Sequence, residues 1–266
     1  EWMLCELLTY NRAQLYAAPQ APVPASVHAT LEAWMERRLA GEPLQYILGY
    51  TEFYGLRINL THDVLIPRPE TEGLVELVLH ESAGLKNPSI LDLGTGSGCI
   101  PVAVGHQRPD ASVFACDISE AALAVARANA ARHHVDIRFF SGDMRRDLNH
   151  PALPLELDII VSNPPYIPTD EYEQLDAEVR DFEPRLALAI DPPLTFYDAI
   201  ADRARSRLKS GGHVYVEIHE DYGDGVMHCF ATRGFSKIQL IDDLSGRPRI
   251  VRATKPLYYT PRSDYL

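Results

Sequence analysis

Positive charge is scarce in this chain: 25 Lys and Arg stand against 37 Asp and Glu, a formal net charge of −12 over 266 residues. Such an acidic surface attracts phosphate backbones poorly, which argues against a general nucleic-acid binder. Cysteine is equally sparse. Cys5, Cys99, Cys116 and Cys229 are scattered without CxxC spacing, so neither a disulfide framework nor a zinc site is expected, and they read as reduced, mostly buried thiols of a cytoplasmic protein. The ten histidines include the pair His133-His134 but show no ligand spacing, and no metal is expected. No apolar run approaches the length of a membrane span, no cleavable signal pattern is visible, and there is no internal repeat. The chain opens on Glu1 rather than Met, which is compatible with a longer natural chain upstream.

What is present is enough for a large core, since 46% of the residues are hydrophobic. Residues 1–45 read as helical: apolar residues sit at Leu4, Leu7, Leu8 and Leu15 within residues 2–16, and at Val27, Leu31, Trp34, Met35 and Leu39 after a proline-rich break at 19–24. The second stripe is expected to form the core of a small helical bundle, whose outer face could still grip a protein substrate. Residues 46–66, with a turn near Gly55, read as a β-hairpin linker. From residue 67 to 266 strands and helices alternate, which predicts an α/β fold with a parallel, doubly wound sheet. Its seven strands are expected at 89–93, 112–117, 137–140, 157–162, 213–218, 235–241 and 249–254. Pro69 suits the first turn of the helix that precedes them. The tail 255–266 carries no evident function.

The first of these strands runs into Gly94-Thr95-Gly96-Ser97-Gly98 and then a helix, a nucleotide-type arrangement in which glycine brings backbone close to a ligand and the helix start offers free N–H groups. The dinucleotide fingerprint needs its third glycine where Cys99 stands, and no Gly-Lys-Ser/Thr run follows, so neither NAD nor a P-loop is supported. The second strand ends on Asp117, placed to bind both hydroxyls of a ribose; the alternative is an N-cap for the next helix, which Ser119 could supply instead. After the third strand, Asp143 can accept from an adenine amino group and Met144 can pack on the ring, though both suit an ordinary loop.

The fourth strand delivers Asn163-Pro164-Pro165-Tyr166. An amide or aromatic amino nitrogen is a poor nucleophile, because its lone pair is delocalised. A site that methylates it must hold its N–H bonds and aim the lone pair. The Asn163 side-chain oxygen can accept one N–H and the Pro164 carbonyl the other, the prolines keep that carbonyl out of a helix ladder, and Tyr166 offers a flat face to the planar group. A plain strand-terminating loop is the other reading.

Residues 92–98, Asp117, Asp143 and 163–166 together resemble the class I S-adenosylmethionine-dependent methyltransferases. Flanking segments narrow the likeness. The runs 41–49 (Gly-Glu-Pro-Leu-Gln-Tyr-Ile-Leu-Gly), 52–56, 65–72 (Leu-Ile-Pro-Arg-Pro-Glu-Thr-Glu) and 179–188 resemble the HemK/PrmC family of release factor N5-glutamine methyltransferases, over nearly the whole chain. The resemblance implies a seven-stranded Rossmann-like sheet with its last strand antiparallel, S-adenosylmethionine bound by Gly94, Thr95, Gly96, Ser97, Gly98, Asp117, Asp143, Met144 and Asn163, and an acceptor held by Asn163, Pro164, Pro165 and Tyr166. It also implies that class 1 peptide chain release factors are the substrate, with no membrane and no direct nucleic-acid partner. Two segments depart from the family pattern: Ala189-Ile190-Asp191-Pro192-Pro193 replaces a glycine-rich stretch, and Glu217-Ile218-His219 stands where Glu-Ile-Gly is usual. An adenine-N6 methyltransferase and a non-catalytic nucleotide-binding module are the alternatives.

Overall fold

A computed structural model describes residues 1–17, 20, 22–146 and 150–257; part of the proline-rich break and most of the tail lie outside the described residues. The N-terminal part is helical, as α1 (Trp2–Leu8), α2 (Arg12–Ala17), α3 (Ala25–Leu39) and α4 (Leu44–Leu48). The helix expected across 2–16 is broken in two. Thr9 adopts left-handed angles, φ 56 and ψ 37, that end α1, and Asn11 and Gln14 exchange side-chain bonds to each other's backbone N–H (2.8 and 2.9 Å) in a reciprocal cap that starts α2. The expected bundle core along α3 does not form either. No residue of α3 is buried, and Leu39 is 84% exposed, because α3 packs mainly on the short α1 and α4, which are too small to cover the stripe.

The hairpin is narrower than expected, β1 (Tyr50–Phe53) and β2 (Leu56–Asn59), since α4 runs across the predicted start. Tyr54 and Gly55 both have positive φ (52° and 72°), the two-residue turn that matches strand twist. The main sheet contains β3 (Ser89–Leu93), β4 (Ser112–Asp117), β5 (Ile137–Ser141), β6 (Leu157–Ser162), β7 (Leu208–Glu217), β8 (Ser236–Asp242) and β9 (Pro248–Thr254). Their order is β5-β4-β3-β6-β7-β9-β8. The β5–β4, β4–β3, β3–β6 and β6–β7 pairs are parallel, and β9 is antiparallel to both neighbours, as expected.

Alternate strand residues feed two separate cores. Leu91, Phe114, Ile160, Val214 and Val251 pack under α10 (Thr195–Arg207) and α11 (Gly223–Thr232). Their chain neighbours Ile90, Val113, Ile159, Tyr215 and Ile250 pack on the opposite face, under α5 (Glu72–Ser82), α6 (Cys99–Gln107) and α7 (Glu120–Arg132). Two short helices, α8 (Thr169–Tyr172) and α9 (Ala177–Arg180), lie between β6 and α10. The hairpin joins the second core through Phe53 and Ile58, which are 1% and 0% exposed, each contributing roughly 1.5–3 kcal/mol.

Asn129 on α7 fixes this docking. It is fully buried; its Oδ1 accepts from the Asn59 backbone N–H (2.8 Å), and its Nδ2 donates to the carbonyls of Asn59 (3.0 Å) and Ser97 (2.8 Å). One side chain thus joins hairpin, helix and glycine loop. Asn129→Ala strands all three backbone groups and is expected to lower stability by about 2–4 kcal/mol, read as a reduced midpoint in urea unfolding.

Candidate active site

In the sheet register Leu93 stands beside both Cys116 and Ser162, so the loops that follow β3, β4 and β6 leave the carboxyl edge side by side. The Ser162 hydroxyl donates to the Leu93 carbonyl (2.6 Å), and the N–H groups of Gly94 and Thr95 both donate to the Cys116 carbonyl (2.9 and 3.0 Å). Above them opens a cleft of about 340 Å³, lined by Gly94 to Ser97, Asp117, Asp143, Met144, Asn163 and Pro165 together with Arg68, Thr71, Leu186 and Ile190. This is where ligands of open parallel sheets bind.

The glycines do different jobs. At Gly94 (φ 74°) an added Cβ would stand 2.7 Å from Met144 Cε, so the loop and the methionine close on each other. Gly96 (φ 52°) has nothing within 4 Å of the same position and leaves open space for a ligand. Gly98 does not line the cleft. It precedes α6 at φ 78°, where a Cβ would meet Ala126 Cβ at 2.9 Å, so its role is to admit α7.

Ser119, not Asp117, caps α7, accepting from Ala122 N–H (3.2 Å). Asp117 is left on the cleft wall, accepting from the N–H groups of Gly96 (2.8 Å) and Ser119 (2.9 Å). Burial pushes its carboxyl up, and those two N–H groups oppose the shift. Asp143 also lines the cleft, already bridged by Arg145 through Nε and Nη2 (3.0 Å each). That guanidinium holds its carboxyl below the ordinary range.

The tetrapeptide divides. Asn163 and Pro165 line the cleft, whereas Pro164 is buried and Tyr166 turns away. The face that Tyr166 was expected to offer an acceptor packs instead on the core, and its hydroxyl donates to Glu217 Oε1 (3.3 Å). That bond belongs to a network that the sequence did not announce. Asn163 Nδ2 donates to Thr71 Oγ1 (3.2 Å), and Thr71 Oγ1 donates to Glu217 Oε2 (2.7 Å). Glu217 is 1% exposed, and burial pushes its carboxyl up to about 7. Beside it, His219 caps the following turn through Asp221 N–H (3.2 Å), a local use for the departure from Glu-Ile-Gly.

Asp92, also missed as a site residue, is 1% exposed on β3, and neither of its oxygens has a hydrogen-bond partner; nor does the buried Thr95 hydroxyl. Burial pushes Asp92 up to about 7; the Thr95 hydroxyl, near enough to favour the ionised form without making a well-formed hydrogen bond, opposes the shift, and Asp117 adds to it. An unpartnered acid behind the glycine loop fits a ligand that brings positive charge, as the sulfonium and ammonium of S-adenosylmethionine do. The legible signal for both acids was a carboxylate inside an apolar strand, Ile-Leu-Asp-Leu and Val-Tyr-Val-Glu-Ile.

A family model described as the methyltransferase small domain matches residues 71–178, and one described as the PrmC N-terminal domain matches residues 1–49. A protein named release factor glutamine methyltransferase from Bacteroides thetaiotaomicron is 37% identical over 258 residues, covering 94% of this chain and 90% of that one. Its namesake from Cereibacter sphaeroides is 40% identical over 255 residues, covering 96% and 89%. Among solved structures, the hMettl16 catalytic domain in complex with MAT2A 3′UTR hairpin 1 aligns with a TM-score of 0.62 at 16% identity, over 78% of this chain and 76% of that one. A methyltransferase from Pyrococcus furiosus aligns with a TM-score of 0.57 at 16% identity, over 86% and 99%. At these identities the two structures speak for the fold alone.

Asp117→Ala is expected to weaken S-adenosylmethionine binding at least about tenfold, the effect of losing one charge-assisted hydrogen bond, as read by titration calorimetry. Asp92→Asn separates electrostatics from fold. Because the folded carboxyl titrates above the unfolded one, the folded state holds extra protons between roughly pH 4 and 7, and ligand-free stability falls as pH rises through that window. The Asn variant lacks its share of that slope, so its melting temperature should exceed the wild type by more at pH 8 than at pH 5. Its affinity for the cationic cofactor should fall further than its affinity for the uncharged-sulfur product.

Proposed function

The chain belongs to the release factor glutamine methyltransferases, and we propose that it transfers a methyl group from S-adenosylmethionine to the side-chain amide nitrogen of the glutamine in the Gly-Gly-Gln loop of class 1 peptide chain release factors. The observation that carries the chemistry is the placement of Asn163. It leaves β6 beside the loop that leaves β3 and lines the cleft with its amide nitrogen already engaged by Thr71, so its oxygen is the end left for a substrate N–H.

When bound, S-adenosylmethionine supplies a methyl group already activated on a sulfonium, so the protein's task is orientation. Asn163 Oδ1 accepts one N–H of the glutamine amide; the Pro164 carbonyl takes the other only if the amide reaches past the cleft wall, since Pro164 itself does not line the cleft. Holding both favours a pyramidal nitrogen whose lone pair points along the transfer axis. The nitrogen sheds a proton after transfer, and the species it leaves is acidic enough for water to accept it. Gly94 to Ser97, Asp117, Asp143 and Met144 hold the cofactor. A glutamine between glycines can extend into such a cleft without a neighbouring Cβ in the way.

The helical part, residues 1–45, is assigned to contact the release factor, and the exposed Trp2, Tyr16, Met35 and Leu39 offer apolar surface for it; residues 46–66 link it to the methyltransferase part, 67–266. Among the described residues no helix is long and apolar enough to cross a membrane, and a release-factor substrate supports a cytoplasmic location. Transfer to the N6 of adenine poses the same geometric problem and is the competing reading. A net charge of −12 disfavours it, because base extrusion requires phosphate contacts.

Labelled cofactor offered to a release factor, to the same factor with its loop glutamine replaced, and to adenine-containing DNA distinguishes the two. Label is expected on the intact release factor alone, at that glutamine by mass spectrometry; label on DNA and none on the factor would transfer the assignment to adenine. Asn163→Ala is expected to cut turnover by about a hundredfold or more while keeping the fold and much of the cofactor affinity.

A further inference from the structure

A carboxamide fits its pocket almost equally well either way round, since its oxygen and nitrogen ends are close in size. For Asn163 only one way leaves Oδ1 toward the cleft. The choice is made beside it, by buried groups from two distant stretches of chain: Thr71, 2% exposed in the turn that precedes α5, and Glu217, 1% exposed at the end of β7. An ionised carboxylate only accepts hydrogen bonds. Glu217 Oε1 is occupied by the Tyr166 hydroxyl, and Oε2 takes the proton of the Thr71 hydroxyl at 2.7 Å. With its one proton committed, Thr71 Oγ1 meets Asn163 as an acceptor, and only the NH₂ end of the carboxamide can face it, as the 3.2 Å contact records.

We propose that Glu217, acting through Thr71, is the positioning group that fixes the Asn163 carboxamide with its oxygen toward the acceptor nitrogen. The inference rests on the assignment of Asn163 to the glutamine amide and adds how that residue is oriented. It also makes the orientation a matter of protonation. A protonated Glu217 donates to Thr71 Oγ1, the Thr71 proton is then free to reach Asn163, and the carboxamide that accepts it turns its NH₂ toward the cleft. There it opposes the substrate N–H instead of holding it.

Several groups set the balance at Glu217. Burial is the largest and favours the neutral acid; Glu70, in the same turn as Thr71, acts in the same direction. Arg249 on β9 and the hydroxyls of Thr71 and Tyr166 favour the ionised form. Tyr197 on α10 approaches from below and spends its hydroxyl on the Glu217 backbone carbonyl (3.0 Å). The result is a carboxyl pushed up to about 7.

Thr71→Val removes the hydroxyl at nearly constant volume. At saturating cofactor its kcat is expected to fall roughly ten- to hundredfold, the range that a misplaced orienting group commands, with cofactor affinity by calorimetry close to the wild type. Thr71→Ser, which restores the hydroxyl, should recover most of that loss. In the wild type kcat should decline as pH drops below about 7, and whatever rate Glu217→Gln retains should lack that acid limb. A wild-type kcat in Thr71→Val, a Ser variant no better than the Val variant, or an acid limb unchanged in Glu217→Gln would overturn the relay. Should the Val variant fail to bind cofactor, the pH profile of Glu217→Gln decides alone. Full turnover in Asn163→Ala would overturn both readings together, whereas its loss beside an unaffected Thr71→Val would overturn only the relay.

Discussion

Both faces of a largely parallel sheet must be covered, and that constraint decides where chemistry can happen in this protein. Parallel neighbours need crossovers, the crossovers are helices, and the helices bury most residues of the central strands. Little on either face is left free to act on a ligand, so function is displaced toward the strand ends. After β3 the chain crosses on the side of α6, and after β6 it crosses to the side of α10. The two loops therefore part where they emerge, and the cleft opens between them. Glycine on one lip and the Asn-Pro-Pro turn on the other follow from the same split.

The sheet was legible because its strands are short apolar runs ending in glycine, acid or proline, and the residue at which each strand yields to its loop is what positions the cleft. Local chemistry that competes with periodicity was harder to see. The Asn11–Gln14 cap is a local signal in the sequence, yet the apolar spacing across residues 2–16 outweighed it. The α3 stripe has helical spacing, but spacing carries no information about whether a partner exists to bury it. β7 begins at Leu208, ahead of the expected strand at 213, because a Gly-Gly pair that reads as a turn is absorbed where the pairing with β6 shifts register. Asn163 and Asp117 were readable as site residues from their places at strand ends. Thr71 was not, because its partner lies 146 residues away, and Tyr166 was assigned outward for want of knowing that Glu217 lay behind it.

The two buried acids make an instructive pair. Both end up near neutrality in their titration for the same reason, loss of water, but their surroundings differ. Asp92 has no hydrogen-bond partner and so carries an electrostatic cost that an incoming cation can offset. Glu217 has both oxygens engaged and uses its charge to dictate which way its neighbours' protons point. A buried carboxylate can thus serve as a counter-charge or as a director of hydrogen-bond polarity, and the partners, not the burial, distinguish the roles.

Asn129 does not line the cleft, yet the hairpin that follows the N-terminal helices and the glycine loop share its three hydrogen bonds. Two binding events that strain or settle the same side chain are linked thermodynamically, and such linkage is reciprocal: whatever factor one ligand adds to the affinity of the other is returned in full. A ligand that shifts the hairpin would then change the affinity at the glycine loop, and a ligand at the loop would change the affinity at the hairpin by the same factor.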